Sequence, residues 1–145
     1  MKAIAEILRT KGSEVYTISP QATAHDAVVE LDARRVGALL VVSGSDLVGM
    51  VTERDCLSRM ILPGKSAKTV KVEEIMTREV IHVKPTFMVS EAMALMTEKR
   101  IRHLPVIEDG KLCGMVSLGD LVKATIADQA FLIHELEFYI ANEQG

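Results

Sequence analysis

Apolar residues recur with the period of a helix in some segments of this chain and with that of a strand in others. The same order of segments occurs twice. Residues 38–42 form an unbroken apolar run, which indicates a buried strand. Turn residues at 43–46 and a second apolar run predict a hairpin. The predicted elements of the first copy are a strand at 15–18, a helix at 25–35 with Ala27, Val28 and Leu31 facing inward, a hairpin of strands 38–42 and 47–51, and a helix at 53–61.

The second copy follows at a shift of 65 residues. Residues 14–61 align with 79–126 without a gap, and 13 of the 48 aligned positions are identical. The predicted elements of the second copy are a strand at 80–83, a helix at 90–99, a hairpin of strands 104–107 and 112–116, and a helix that begins after Ser117. The sequence therefore predicts an α/β (α+β) fold of two tandem β-α-β-β-α repeats, packed about a pseudo-two-fold axis.

Three further segments flank the copies. Residues 4–10 predict a short lead-in helix, and the polar residues 63–72 predict a surface linker. The tail carries three of the chain's five aromatic residues, spread around a helix rather than along one stripe, which favours contacts on several faces. The predicted divisions are repeat 1 with its lead-in at 1–67, repeat 2 at 68–126 and a C-terminal helix at 127–145. The tail is expected to form the interface of a homodimer. The alternative is a tail that packs only on its own module.

Composition narrows the classes of partner. The net charge of −3 argues against a general nucleic-acid or anionic-membrane binder. No apolar run approaches the length of a membrane-spanning helix, and the N-terminus lacks the apolar core of a signal peptide, so a cytoplasmic location is expected. Cys56 and Cys113 are not in metal-ligand or redox spacing and are expected to be buried thiols.

The most specific strings end each copy. They read GMVTERD at 49–55 and GMVSLGD at 114–120. Ser or Thr followed three residues later by an acid at a helix start is a capping box, which satisfies backbone N–H groups and by itself says nothing about function. The box recurs, however, at the same repeat position behind a glycine-led strand.

With these strings, both copies resemble the cystathionine β-synthase (CBS) domain, a nucleotide-sensing repeat that occurs in pairs. The resemblance runs over residues 11–126 and includes Pro20, Pro85 and the string IRHLPV at 101–106. The whole chain is also similar to stand-alone CBS-pair proteins of bacteria and plants. The resemblance implies a tandem pair, or Bateman module, that stacks with another pair into a disc.

The resemblance also implies adenosine-type ligands in clefts between the repeats. A carboxylate can accept both hydroxyls of a ribose, and a helix N-terminus favours an anion. The expected ligand residues of the repeat 1 cleft are Lys11, Val15, Thr17, Thr52, Arg54, Asp55, Arg102 and His103. Those of the repeat 2 cleft are Gly37, Ala38, Val80, Ile81, Met115, Ser117 and Asp120.

The two clefts are expected to differ. By resemblance, the residues before each second strand reach toward the ligand of the other copy, so Arg102 and His103 would face the Asp55 cleft. Arginine suits a phosphate, and Gly119 replaces Arg54 in the other cleft. The Asp55 cleft is therefore the expected phosphate site; solvated surface charge is the alternative for Arg54 and Lys11.

Three classes of function follow. The leading one is an adenine-nucleotide sensor, with AMP as the first ligand and ATP, ADP, NAD or S-adenosylmethionine as others, that changes the activity of an unidentified partner protein. The alternative is a nucleotide-independent interaction or scaffold dimer with vestigial clefts. An enzyme is disfavoured, because no nucleophile–base pair or glycine-rich phosphate loop occurs, and no histidine pair has metal-ligand spacing.

Overall fold

The computed structural model describes residues 2–144, with side chains in the last helix described as far as Asn142. Helices and strands of both copies follow one another in the predicted order. The helices are α1 (Ile4–Lys11), α2 (Ala24–Arg34), α3 (Glu53–Cys56), α4 (Val72–Ile75), α5 (Val89–Lys99) and α6 (Leu118–Gln144). The strands are β1 (Thr17–Ile18), β2 (Ala38–Ser43), β3 (Asp46–Thr52), β4 (His103–Glu108) and β5 (Lys111–Ser117).

The chain forms two compact units. One is continuous and comprises Glu14–Ile81, whereas the other joins Met1–Ser13 to His82–Gly145. The predicted division was drawn differently: it put residues 1–13 in repeat 1, residues 68–81 in repeat 2 and residues 127–145 in a separate helix. We call Glu14–Ile81 the first unit and the other the second unit.

The first unit is built on a three-stranded sheet. β1 runs parallel to β2, and β2 pairs antiparallel with β3. Strands β2 and β3 place Leu39, Val41 and Val51, all fully buried, in one aliphatic core with α2. Because Ala27 and Leu31 are buried while Val28 is 40% exposed, Val28 does not belong to the inward face that the sequence predicted.

The linker is part of this core rather than only a surface connection. Val70 and Val72 are buried in the same cluster. Its backbone is also fixed, because the amide of Ala24 donates to Val70 O at 2.7 Å and that of Val72 to Ala22 O at 2.8 Å. After α4, Met50 and Thr77 exchange both backbone hydrogen bonds, which adds a bridge at the free edge of β3.

The second unit repeats this plan with the lead-in helix in place of α4. The hairpin of β4 and β5 is antiparallel, and α1 packs on β5 and α6. The amides of Ile4 and Ala5 donate to Phe87 O and Pro85 O at 2.8 and 2.9 Å. The helix that precedes each copy in the chain therefore packs in the unit that carries the other copy's hairpin.

The predicted strand at 80–83 is wrong, since only Val83 forms a bridge, parallel to Val106. Pro105 explains the difference. It stands where the first copy has Leu40, whose amide donates to Tyr16 O at 3.1 Å, and proline has no N–H to give. The backbone hydrogen bonds that pair β1 with β2 in the first copy are therefore one fewer at the equivalent place in the second copy.

Two helices depart from their predicted form. The helix predicted at 53–61 is α-helical only to Cys56 and continues as a π-helical turn over Leu57–Ile61. The predicted tail is not separate, because α6 runs without interruption from Leu118, just after the second capping box, for 27 residues. At 1.5 Å per residue it is about 40 Å long.

Candidate functional site

The capping box of the first copy is formed as predicted. Thr52 Oγ1 accepts from the amide of Asp55 at 3.1 Å, and Asp55 Oδ2 accepts from the amide of Thr52 at 3.0 Å. The box begins α3 directly at the end of β3, so the strand fixes where the carboxylate lies. The structural role proposed for the motif is therefore fulfilled in this copy.

Asp55 has further partners that bury it. The Thr77 hydroxyl donates to Asp55 Oδ1 at 3.3 Å and lies 3.4 Å from Oδ2. Arg59 Nε is 3.9 Å from Oδ1, while its Nη1 donates to Met76 O at 2.8 Å. Only 8% of Asp55 is exposed. Its carboxylate is thus tied to the segment that follows α4.

The capping box of the second copy has a different set of partners. Asp120 Oδ2 accepts from the amide of Ser117 at 2.8 Å, and Ser117 Oγ accepts from the amide of Asp120 at 3.1 Å. Lys11 Nζ, from the end of α1, donates to the same Asp120 Oδ2 at 2.6 Å and to Met115 O at 2.8 Å. A lysine ammonium therefore lies on the carboxylate that the resemblance assigns to a ribose.

This arrangement sets the charge of Asp120. Burial acts to raise the pKa of the carboxyl, but the hydrogen bonds from Lys11 and from Ser117 outweigh it and lower the pKa below its ordinary value. The Asp120–Lys11 pair is partly exposed, with side-chain exposures of 26% and 34%. Asp120 is ionised at neutral pH and its charge is balanced within the second unit.

An open cavity of about 580 Å³ adjoins the second box. It lies where α6 begins, and the amide of Leu118 donates to Arg102 O at 2.8 Å, which fixes the residue before β4 against the helix start. The lining residues are Arg102, His103, Ser117, Leu118, Gly119, Val122, Lys123 and Ile126. We call this cavity the α6 pocket.

The α6 pocket joins two kinds of surface. Arg102 and Lys123 supply positive charge beside the N-terminus of a long helix, where partial positive charge favours anions. Leu118, Val122 and Ile126 supply an apolar wall. Such a site can take a ligand with an anionic group and a flat or apolar part.

The structure changes how the predicted residues are grouped. Lys11, Arg102 and His103 were expected at the Asp55 cleft, but Lys11 contacts Asp120 and the other two line the α6 pocket. In the same way Gly37, expected to serve the second copy, accepts from the amide of Glu53 at 3.1 Å within the first unit. In each copy, the carbonyl of the residue before the hairpin accepts from the first amide of the helix that follows the hairpin, because the strand begins where that helix starts.

The remaining predicted residues lie on several elements. Ala38 is fully buried in β2, so its side chain cannot reach a ligand in solvent. Thr17 is exposed at β1 and Arg54 is exposed on α3. Met115, whose carbonyl accepts from Lys11, is half-buried in β5. Three more of the predicted residues are half-buried and lie outside the helices and strands: Val15, Val80 and Ile81.

Sequence reasoning missed one face of the α6 pocket. Leu118, Val122 and Ile126 recur every four residues, and Lys123 lies beside them on the same helix. This spacing puts them on one side of α6. The signal was present, but it is the same pattern that predicts packing against the protein's own core.

Both cysteines are free, and they differ in burial. Cys56 is buried, and burial, helped by the charges of Asp55 and Glu53, raises the pKa of its thiol. Cys113 was expected to be buried but is only half-buried, because it lies near the turn of the second hairpin with Sγ 3.6 Å from Lys111 O. Within residues 2–144, no group of three or more acidic, cysteine or histidine side chains is placed to hold a metal ion.

Comparison with known proteins gives a consistent result. The family model described as CBS domain matches twice, at residues 4–62 and 72–127. The chain is 40% identical over 146 residues to the CBS domain-containing protein CBSX3, mitochondrial, of Arabidopsis thaliana, covering 94% of this chain and 71% of that protein. In the described part of the chain, no helix is both long enough and apolar enough to cross a membrane.

Two solved structures share the fold. A protein with CBS domains from Burkholderia ambifaria is 46% identical, with a TM-score of 0.85, and the match covers 88% of this chain and 96% of that one. The CBS domain pair of protein MJ0100, solved in complex with 5′-methylthioadenosine and S-adenosyl-L-methionine, has a TM-score of 0.77 at 23% identity. The match with MJ0100 covers 88% of this chain and 98% of that one.

Proposed function

This chain belongs to the CBS-domain family as a tandem pair, and on that premise we propose that it is a regulatory module that binds an adenosine-type ligand and changes the activity of a partner protein. The proposed ligand site is the α6 pocket with Ser117 and Asp120. AMP is the first candidate, and ADP, ATP, NAD and S-adenosylmethionine are tested beside it.

The observation that carries the proposal is the meeting of four features at one helix start. The amide end of α6, the cations Arg102 and Lys123, and the apolar wall form the pocket, and the ionised Asp120 belongs to the capping box whose Ser117 also lines it. A nucleotide offers a phosphate for the cations, a ribose diol for a carboxylate, and a base for an apolar wall.

Each of the two family strings ends in an aspartate, Asp55 or Asp120, and these carboxylates support an adenosine-type ligand. Within the same fold, the MJ0100 pair binds two compounds that share a 5′-thioadenosine unit. At 23% identity that similarity concerns the fold alone, so the choice of adenosine rests on the chemistry of this pocket. The first copy, with Thr52 and Asp55, is proposed as a second and weaker site, since Asp55 is 8% exposed.

We favour a binding module over an enzyme. The α6 pocket holds groups that bind and orient a ligand: two cations, the start of a long helix and an apolar wall. Binding alone regulates a partner when the ligand has different affinities for two states of the module.

A thermal-shift panel tests the proposal. The unmodified chain is heated with AMP, ADP, ATP, NAD, S-adenosylmethionine and adenosine, and with GTP as the control for base selectivity. A ligand at 100 times its dissociation constant stabilises the folded state by about 2.7 kcal/mol, which for a module of this size is a rise of roughly 5–10 °C in Tm. A rise with adenine compounds and none with GTP is expected.

A variant assigns the site. Arg102→Ala should weaken AMP binding much more than adenosine binding, because only AMP carries a phosphate for the guanidinium. Arg9→Ala, an exposed arginine of α1 that does not line the pocket, is the matched control and should bind both ligands like the unmodified chain. Equal losses for AMP and adenosine in Arg102→Ala would mean that Arg102 has a structural role.

A second function has one observation in its favour. The outer part of α6 exposes large apolar side chains on more than one face, including Phe131 and Phe138 at 67% and 66%. A nucleotide-independent interaction protein would use this surface constitutively. Failure of every ligand in the thermal panel, for a protein that melts cooperatively, would favour it.

A further inference from the structure

Lys11 lies where a ligand of the second copy would need to bind. Its ammonium donates to Asp120 Oδ2 at 2.6 Å and to Met115 O at 2.8 Å. Oδ2 also accepts from the amide of Ser117 at 2.8 Å. Because a ribose diol is recognised by both oxygens of a carboxylate, the ribose and Lys11 require the same acceptor.

The first copy has no such lysine. Asp55 is held by Thr52 and Thr77 and lies 3.9 Å from Arg59, all within its own unit and all close along the chain. Lys11 is instead 109 residues from Asp120 in sequence and arrives at the end of α1. The contact is therefore a property of one copy and of one separate helix.

Apolar contacts hold α1 as far as Leu8, with Ile4 and Ile7 buried, and its last turn lies beyond them. Leu8 packs on Gly114, and the backbone bonds to the rest of the unit are at the start of the helix, from Ile4 and Ala5 to Phe87 and Pro85. Its end is capped by Gly12, at φ 98°, whose amide donates to Leu8 O at 2.7 Å. Lys11 is the residue that ties the C-terminal end of α1 to β5 and α6.

We propose that Lys11 is a built-in competitor for the second site: a ligand that engages Asp120 displaces the Lys11 ammonium, and the end of α1 is released. The inference rests on the proposed adenosine-type site and adds a regulatory output to it. α1 would report occupancy of the second copy, and the surface beneath its end would become accessible to a partner.

The energy balance makes the exchange feasible. A partly exposed ion pair contributes about 0.2–1 kcal/mol, so displacing Lys11 lowers ligand affinity by up to about fivefold. The pair is therefore strong enough to be measured and weak enough for a ligand to replace. A deeply buried ion pair would be too costly for a ligand to replace.

The test uses adenosine, a neutral ligand whose diol can engage Asp120 but which has no phosphate to attract Lys11. Lys11→Met keeps the length and apolar stem of the side chain and removes the ammonium. Calorimetry should show adenosine binding about two- to fivefold tighter than to the unmodified chain. Arg9→Met, on the same helix but without a contact to Asp120, is the control and should bind like the unmodified chain.

Hydrogen exchange supplies the second measurement. In the unmodified chain, saturating adenosine should increase exchange at the amides of residues 8–12, while those of Ile4 and Ala5, which bond to Pro85 and Phe87, change less. Unchanged or weaker adenosine binding in Lys11→Met, or unchanged exchange at 8–12 on binding, would overturn the proposal and leave the proposed function intact.

A failure of the proposed function gives a different result. If neither the unmodified chain nor Lys11→Met binds any adenine compound, the ligand is rejected for both inferences. Exchange in Asp120→Asn without ligand then decides whether the carboxylate anchors α1. Faster exchange at residues 8–12 would support the anchor, and unchanged exchange would reject it.

Discussion

Asp55 and Asp120 occupy the same position of the repeat, and both complete a capping box, yet their surroundings give them different roles. Asp55 is almost fully buried among Thr52 and Thr77. Asp120 is partly open, accepts from Lys11 and shares its capping box with Ser117, which lines the α6 pocket. Two residues aligned by sequence thus differ in burial and in partners, which is why the site at Asp55 is proposed as the weaker one.

The sequence predicted both capping boxes, because each is a local pattern of four residues. It did not predict which cation meets which carboxylate, since Lys11 and Asp120 are separated by 109 residues and their meeting depends on where α1 packs. Arg102 was recognised as a phosphate-type residue, and the sequence alone did not place it beside the start of α6. Local chemistry is readable from a sequence, whereas pairing across the chain needs the fold.

The Asp120–Lys11 pair predicts an acid dependence of stability. The folded-state pKa of Asp120 is lowered, so its contribution to stability is present above the unfolded-state pKa of about 4 and is lost as the pH falls through the folded-state value. We expect Asp120→Asn to be less stable than the unmodified chain by about 0.2–1 kcal/mol at pH 7. The difference should shrink progressively below about pH 4.

Urea unfolding at a series of pH values measures this difference. Asp32→Asn, at an exposed position of α2, is the control variant. A gap between Asp120→Asn and the unmodified chain that stays constant down to pH 2 would show that the ionised carboxylate does not contribute through Lys11.

Among the elements, strands β3 and β5 each need a glycine where another segment crosses them. A Cβ atom at Gly49 would lie 2.6 Å from Met76 Sδ and 2.8 Å from Thr77 O. At the equivalent Gly114 it would lie 2.9 Å from Leu8 Cδ2. The repeated glycine in the two family strings therefore has a physical reason: the segment leading into the other copy approaches the strand closely.

We expect Gly49→Ala to cost more stability than Gly114→Ala. At Gly49 the new methyl group meets a backbone oxygen that is fixed by the Met50–Thr77 bridge, and overpacking of this kind costs about 1–3 kcal/mol. At Gly114 it meets the end of a flexible leucine, so the loss should stay below about 1 kcal/mol. Each variant is the control for the other in thermal or urea unfolding, and equal losses would contradict the explanation.

The four hairpin strands and two of the helices were predicted closely in this chain. The bounds of α2 and α5 fall within one residue of the prediction, because their apolar spacing and flanking turns are both local. The strand expected at 80–83 failed because Pro105, far along the chain, lacks the N–H that Leu40 supplies in the first copy. The π-helical turn at Leu57–Ile61 also had no signal in the periodicity.

At the scale of the whole molecule, the outer part of α6 is the largest feature that the described chain leaves uncovered. Its exposed apolar side chains are Phe131, Leu132, Ile133, Leu136, Phe138, Tyr139 and Ile140, each between 53% and 67% exposed. Large exposed apolar patches mark interaction surfaces. Self-association through this helix, predicted from the sequence, is the proposal that accounts for it.

Substitution on this surface tests the association. Leu136→Glu should lower the mass found by light scattering to that of a monomer, because a charge would be buried on a helix face that packs against a second copy. Leu62→Glu, at an apolar position that is 80% exposed and lies outside α6, is the control and should leave the mass unchanged. An unchanged dimer in Leu136→Glu, and in a chain lacking residues 127–145, would reject α6 as the interface.

The placement of α1 bears on how the molecule is made. Ribosomes synthesise residues 4–11 before any part of the surface on which they finally pack, since β5 and the start of α6 lie more than 100 residues later. The continuous unit Glu14–Ile81 can complete its own contacts during synthesis, whereas the nascent α1 must wait until the second hairpin has emerged. Helix α1 therefore precedes the rest of this fold in synthesis but is among the last of its elements to find its place, and until then its apolar face is available to chaperones.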